Sequence, residues 1–559
     1  MHKTAKLAAA LLASAVCSGA IGCDGASDSA PARSSSDTSP SAAGPLAGIR
    51  SALALDGPGA IRRTRARHSA ATPLVSDGGT TVTDPTIPAR FRAFAAAFDA
   101  ERQGFGAPGA AVAILEHGEV TFAHGFGTKG STSTEPVDAK TLFRIGSMTK
   151  ALTATRFLQL EDEGRVDVHE DLTRIVPNVA LSGPDVARLT MNDLMSQQSG
   201  LFDFTNFSGN PAVSTVSCST DPGALQDFVS GTLFSQNEFF AAPPHSLFNY
   251  SNTNYILTGA AVERASGVPY IETMQRSVFA PLQMARTFFL PSQVVADGDY
   301  ANGLSANPDG SPWDIAPADY DCGWFRPAGF AFSSVLDYAK FAQFLYRGDP
   351  RVLSDERRRE METGHVDTFE YGDTLWYGYG LGVSSGLSLP SGYYRTELIS
   401  HSGALPGFAT EFYLLPETGF GFVAFANTDG AYFGTSLELA LQSFGDLPAA
   451  SPVPPSTILE PSELPEYAGT YVDPSGNVGE IVVTASNGAL TVDLPDIDGL
   501  LPYVPTLTPA SNNNFILTIE GADAQEIELT FTPAPDGTYQ WILIDDGLVA
   551  ARVAPDAGE

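Results

Sequence analysis

Two hydrophobic rhythms alternate along the chain from about residue 87. Phe91, Phe94, Ala95 and Phe98 recur at helical spacing and predict a helix over 87–102. Residues 110–115 (Ala-Ala-Val-Ala-Ile-Leu) are apolar without a break, as in a buried strand. His117-Gly118 turns the chain, and 120–123 pairs back as a hairpin. From Ser147 a further run carries Ala151, Leu152, Ala154, Phe157, Leu158 and Leu160. It is apolar nearly all round, which predicts a buried helix that stops near Gly164. Helices and loops fill 188–370, among them helices at 252–266 and 333–346. Strand patterns return at 378–383, 398–402, 410–415 and 419–425. Strands thus flank a helical middle. The expected fold is α+β: one antiparallel sheet, joined by the early hairpin, with helices on its faces and an all-helical region.

The two ends read differently. Lys3 and Lys6, an apolar run from Leu7 to Val16 and small residues up to 23 form an export signal. Ala20-Ile21-Gly22-Cys23 is close to a lipoprotein cleavage box, with Leu usual where Ala20 stands; lipidation at Cys23 and plain secretion both remain open. The protein is therefore expected in the periplasm or cell envelope, lipid-anchored, or else secreted. Residues 24–86 are rich in Ser, Ala, Pro, Asp and Gly and read as a disordered linker. The folded domain is expected over 87–447, followed by a proline-rich linker at 448–465. Seven short alternating runs between 469 and 553 then predict a small all-β barrel or sandwich over 466–559. That segment contains no His, Cys or Lys, so docking or substrate gating is its expected role.

The net charge of −33 argues against nucleic acid as a partner. Of four cysteines, Cys17 belongs to the signal and Cys23 to the cleavage box. In an oxidising compartment Cys218 and Cys322 are expected to pair. Only six lysines occur, which gives each one weight.

One of the six stands in Ser147-Met148-Thr149-Lys150. Residues three apart share a helix face, so the Lys150 amine is expected against the Ser147 hydroxyl. An adjacent amine able to take its proton makes serine a nucleophile. Asn249-Tyr250-Ser251-Asn252 precedes a helix. Beside a cationic lysine Tyr250 could ionise more easily and shuttle protons, and Asn252 can hold a carbonyl. Tyr300-Ala301-Asn302 repeats that spacing but opens no helix. His401-Ser402-Gly403-Ala404 ends a strand: Gly403 allows a close backbone approach, the Ala404 and Ser147 amides can form an oxyanion hole, and a protonated His401 would hold a substrate carboxylate. In that case binding of an acidic substrate weakens as pH rises through ~6.5. Gly382-Val383-Ser384-Ser385-Gly386 fits the rival Gly-x-Ser-x-Gly elbow, which requires a helix after the serine; 387–394 does not read as one.

Taken in order, the three stretches resemble the serine β-lactamase and penicillin-recognising superfamily, especially its class C β-lactamase, DD-peptidase and esterase branch. The resemblance runs from about 87 to 444 and includes 141–147, the Ser199-Gly200-Leu201 segment, Tyr377-Gly378-Tyr379-Gly380 and 401–408. It implies a β-lactamase/transpeptidase-like fold and an acyl-enzyme on Ser147. Lys150 and Tyr250 would be the proton-transfer pair, with the base left open between them. Asn252 and His401 would contact substrate. His401 stands where true β-lactamases usually have Lys, which points to a DD-carboxypeptidase-, D-aminopeptidase- or esterase-like hydrolase. A true class C β-lactamase and a surface protein that binds without catalysis are the alternatives. The chemistry calls for no metal or organic cofactor, only a small-molecule or peptide substrate with a carbonyl acyl donor. Oligomeric state is left undetermined.

Overall fold

The computed structural model describes residues 87–553 except 204–218, 232–233, 235–238, 307–310, 320, 369–374, 453–461, 498–501, 512, 521–524, 535 and 546. The export signal, Cys23 and the 24–86 linker lie outside the described residues, as does Cys218. Cys322 is disulfide-bonded. The neighbouring Gly323 amide donates to Ser219 O at 3.0 Å, bringing the segment that follows Cys218 alongside.

One eight-stranded antiparallel sheet organises the main domain. Its strands are β1 (Gly109–Glu116), β2 (Glu119–Gly127), β3 (Val366–Asp367), β4 (Leu375–Tyr377), β5 (Gly382–Ser384), β6 (Leu398–Leu405), β7 (Phe408–Leu415) and β8 (Phe420–Ala426). Their order is β2-β1-β8-β7-β6-β5-β4-β3. The early hairpin joins the late strands through β1 against β8, from Ala110↔Ala426 to Leu115↔Gly421.

The unbroken apolar run of β1 has a direct cause. Successive side chains point to opposite faces. Ala111, Ala113 and Leu115 enter one core, and Ala110, Val112 and Ile114 the other. The first core holds the helices α2 (Thr149–Asp162), α3 (Asn252–Ser266) and α4 (Val335–Arg347). The second holds α1 (Arg92–Gly104) and α5 (Gly434–Phe444). Helix α2 is buried at every position from Thr149 to Leu160, as its apolar circumference predicts. Its start differs from expectation. Ser147 sits in a 3-10 turn, Gly146–Met148, that leads into the α-helix.

Ser384 lies on β5 and is followed by a two-stranded hairpin, Leu387–Leu389 with Gly392–Tyr394. With no helix after it, Ser384 cannot form the rival elbow.

The C-terminal segment is an eight-stranded antiparallel sheet. It contains one strand more than the sequence pattern indicated, Thr508–Ser511. It is a curled half-barrel and not a closed barrel. Its edge strand Ala489–Asp493 meets the chain leading into the other edge through a single bridge, Thr491↔Thr506. It has its own core. Leu543, Val549 and Trp541 leave that core and pack with Phe248, Tyr250, Tyr377 and Val366 of the main domain.

Candidate active site

The turn, helix α3, strand β6 and the segment Arg326–Gly329 meet around Lys150. Its side chain is fully buried. Its Nζ lies 2.8 Å from Ser147 Oγ, 2.6 Å from Asn252 Oδ1 and 2.9 Å from Ala328 O. The last two atoms only accept hydrogen bonds, so they take two N–H groups of the amine. The third position on Nζ faces Ser147. The Tyr250 ring centroid lies 4.9 Å from Nζ. Ser147, Lys150, Tyr250 and Asn252 are therefore brought together.

Ser147 is held against β6 by two glycines. Gly146 has φ of +51°, a left-handed conformation that suits glycine. A Cβ there would lie 2.6 Å from the Ala404 amide nitrogen, so the Ala404 amide stands beside the nucleophile turn. A Cβ on Gly403 would meet Ile145 O at 2.1 Å and Thr410 Oγ1 at 2.6 Å. The Thr410 hydroxyl itself donates to Ile145 O at 2.9 Å. The close backbone approach that Gly403 allows is taken up on this side by the protein's own turn.

His401 departs from the expected cationic group. It is 1% exposed. Its Nδ1 lies 2.6 Å from Ser402 O, and a carbonyl only accepts, so Nδ1 carries the proton. In the neutral ring its Nε2, 3.0 Å from Tyr377 Oη, accepts from the phenol. Burial above all pushes its pKa down to about 3, and Lys150 adds to this whenever it is protonated. His401 is neutral at physiological pH and is no cationic clamp for a carboxylate.

The consequence for stability has a definite sign. Unfolded, a histidine titrates near ~6.5. Below that pH the unfolded chain binds a proton that the folded site refuses, so stability falls from about pH 6.5 toward pH 3. The melting temperature of His401→Gln should therefore fall less steeply than wild type between pH 6.5 and 4.5. Parallel curves would mean that His401 is protonated in the folded state.

Three residues escaped the sequence reading as parts of this site. Gln197, with φ of +62°, accepts the Ser251 amide on Oε1 at 2.9 Å and the Asn249 amide on its carbonyl at 2.8 Å. It thereby holds the chain on both sides of Tyr250. The sequence marks it only as a glutamine before Ser199-Gly200-Leu201. Tyr377, at the end of β4, binds His401. It stands in the quoted Tyr-Gly-Tyr-Gly run, but nothing there names its partner. Asp203, 2% exposed, accepts on Oδ2 from Asn252 N at 3.1 Å and Asn252 Nδ2 at 2.9 Å. It lies two residues beyond the Ser-Gly-Leu segment.

A sheet sandwiched between helices, with a buried lysine against a serine at the start of a central helix, has the build of a penicillin-recognising serine hydrolase. Residues 94–442 match the model of the family described as Beta-lactamase. This chain belongs to that family. It is 26% identical over 485 residues to an unguisins hydrolase of Aspergillus campestris, covering 77% of this chain and 85% of the relative. It is 24% identical over 451 residues to penicillin-binding protein 4* of Bacillus subtilis, covering 78% and 92%. The D-amino acid amidase of Ochrobactrum anthropi, solved with L-phenylalanine amide, superimposes with a TM-score of 0.53 and 25% identity, over 64% of this chain and 99% of the amidase. The protein is a serine hydrolase of this superfamily, with penicillin-binding and D-amino acid amidase homologues.

Proposed function

We propose that the protein cleaves amides or esters of small acyl donors through an acyl-enzyme on Ser147, acting most readily on amino acid amides and esters. The contact of Lys150 Nζ with Ser147 Oγ at 2.8 Å, with two pure acceptors on the other sides of the amine, carries this reading. As a neutral amine, Lys150 donates to Asn252 and Ala328 and turns its lone pair to the serine. It takes the hydroxyl proton as Oγ attacks the carbonyl carbon. Charge developing on the carbonyl oxygen is met by the Ser147 and Ala404 amides. Tyr250, against the lysine, passes the proton on to the leaving nitrogen or oxygen. Water, deprotonated along the same path, then releases the acyl group and restores Ser147.

The neutral His401 supports the substrate class. A β-lactam or a peptide ending in a free carboxylate gains no ion pair from it, whereas an amide or a neutral ester loses nothing. The amidase homologue fits the same choice.

The test has two arms. A fluorophosphonate probe followed by peptide mapping should label Ser147; no label, or label elsewhere, overturns the acyl-enzyme assignment. Values of kcat/KM for D- and L-amino acid amides, a p-nitrophenyl ester, a D-Ala-D-Ala peptide and a cephalosporin should then favour the amides and the ester. A tenfold preference for the two carboxylate-bearing substrates would overturn the substrate class.

A further inference from the structure

We propose that Asp203 is a positioning residue for the nucleophile, acting through the Asn252 side chain; this rests on the acyl-enzyme reading of Ser147. A primary amide presents a donor on one side and an acceptor on the other, and rotation by half a turn exchanges them. With Oδ1 toward Lys150, Asn252 accepts from the amine at 2.6 Å. With Nδ2 there instead, two donors would oppose each other and the lysine would lose an acceptor. Asp203 removes the second orientation. Its Oδ2 can only accept, and it takes the Nδ2–H at 2.9 Å, so Oδ1 must face Lys150.

The same carboxylate oxygen accepts the Asn252 backbone amide at 3.1 Å. Asn252 is the first residue of α3, and the preceding Ser251 makes no capping bond with its own side chain. Asp203 supplies that cap from 49 residues earlier in the chain. A helix N-terminus favours negative charge, and two N–H donors offset the burial of the carboxylate. The carboxylate is therefore held as firmly as the helix is. The chain Asp203–Asn252–Lys150–Ser147 ties the aim of the amine to the backbone of α3.

The experiment compares full-length Asp203→Ala and Asp203→Asn with wild type, reading the rate of fluorophosphonate labelling of Ser147, kcat and KM. Asparagine keeps an oxygen that can accept both N–H groups; alanine does not. We expect Asp203→Ala to label about 100-fold more slowly, with kcat falling in step and KM within about threefold, as for a misaimed catalytic group. Asp203→Asn should recover at least tenfold of that loss. In an Asn252→Ala background the further change to Asp203→Ala should cost less than threefold, because the amide it orients is gone. Should Asp203→Ala fail to fold, Asp203→Ser carries the same expectation. A folded variant that labels at the wild-type rate overturns the proposal, as does an asparagine variant no better than alanine, or full additivity with Asn252→Ala. Absence of labelling in wild type would overturn the acyl-enzyme reading instead, so the two failures are distinct.

Discussion

Lys150→Met is expected to lower turnover by about 10³- to 10⁴-fold, the upper part of what positioned proton transfer contributes. Ser147→Ala is expected to leave no covalent labelling at all. Methionine matches the length of the lysine stem and carries no charge, so the fully buried site loses its proton carrier without a large cavity. The loss should appear in acylation: the labelling rate falls with kcat, while KM for a small amide moves little. The variant leaves the acceptors Asn252 Oδ1 and Ala328 O without the amine, which costs stability as well. Circular dichroism and a melting curve separate that cost from the kinetic one. A methionine variant within tenfold of wild type would move the base assignment to Tyr250.

Gly403→Ala has the next largest expected effect, and it reaches both fold and chemistry. The added carbon would sit 2.1 Å from Ile145 O, which is backbone and already bound to Thr410. Neither β6 nor the turn carrying Ser147 can yield alone. β6 is paired to β7 from Ile399↔Leu414 to Leu405↔Phe408, and the turn continues into α2, buried from Thr149 to Leu160. Overpacking of this kind costs about 1–3 kcal/mol, or more where backbone must move. A displacement of about 1 Å at the nucleophile costs on the order of 100-fold in rate. Thr410→Val is the control: it removes the hydroxyl bond without the clash and should cost only about 1 kcal/mol. An alanine variant with wild-type melting and labelling would show slack between turn and strand.

How much of this was legible beforehand depended on what each feature rests on. The sheet and the central helices follow from periodicity: β1 is apolar at every position because it feeds two cores, and α2 is apolar all round because it is enclosed. The Ser147, Lys150, Tyr250 and Asn252 cluster was legible because its members lie in short motifs at fixed spacing. His401 was found by the same means, but its charge was not. The charge depends first on burial and then on Lys150, 251 residues earlier in the chain, and neither shows in the motif around His401. Asp203 and Gln197 were missed for a related reason. Each acts on the Tyr250–Asn252 loop from about fifty residues away, through a contact that only the folded chain creates. The tail was legible as a barrel or sandwich, but strand periodicity counts strands and says nothing of whether the edges meet.

The apolar corner of the half-barrel, Leu543, Val549 and Trp541, packs into the aromatic group that includes Tyr250. Electrostatic interactions at Lys150 are stronger the less water surrounds them. The tail of the chain, without one histidine, cysteine or lysine of its own, thus adds hydrocarbon to the wall of which Tyr250 is part. Trimming hydrocarbon from that corner would loosen the packing around Tyr250 and admit water to the medium in which a proton moves.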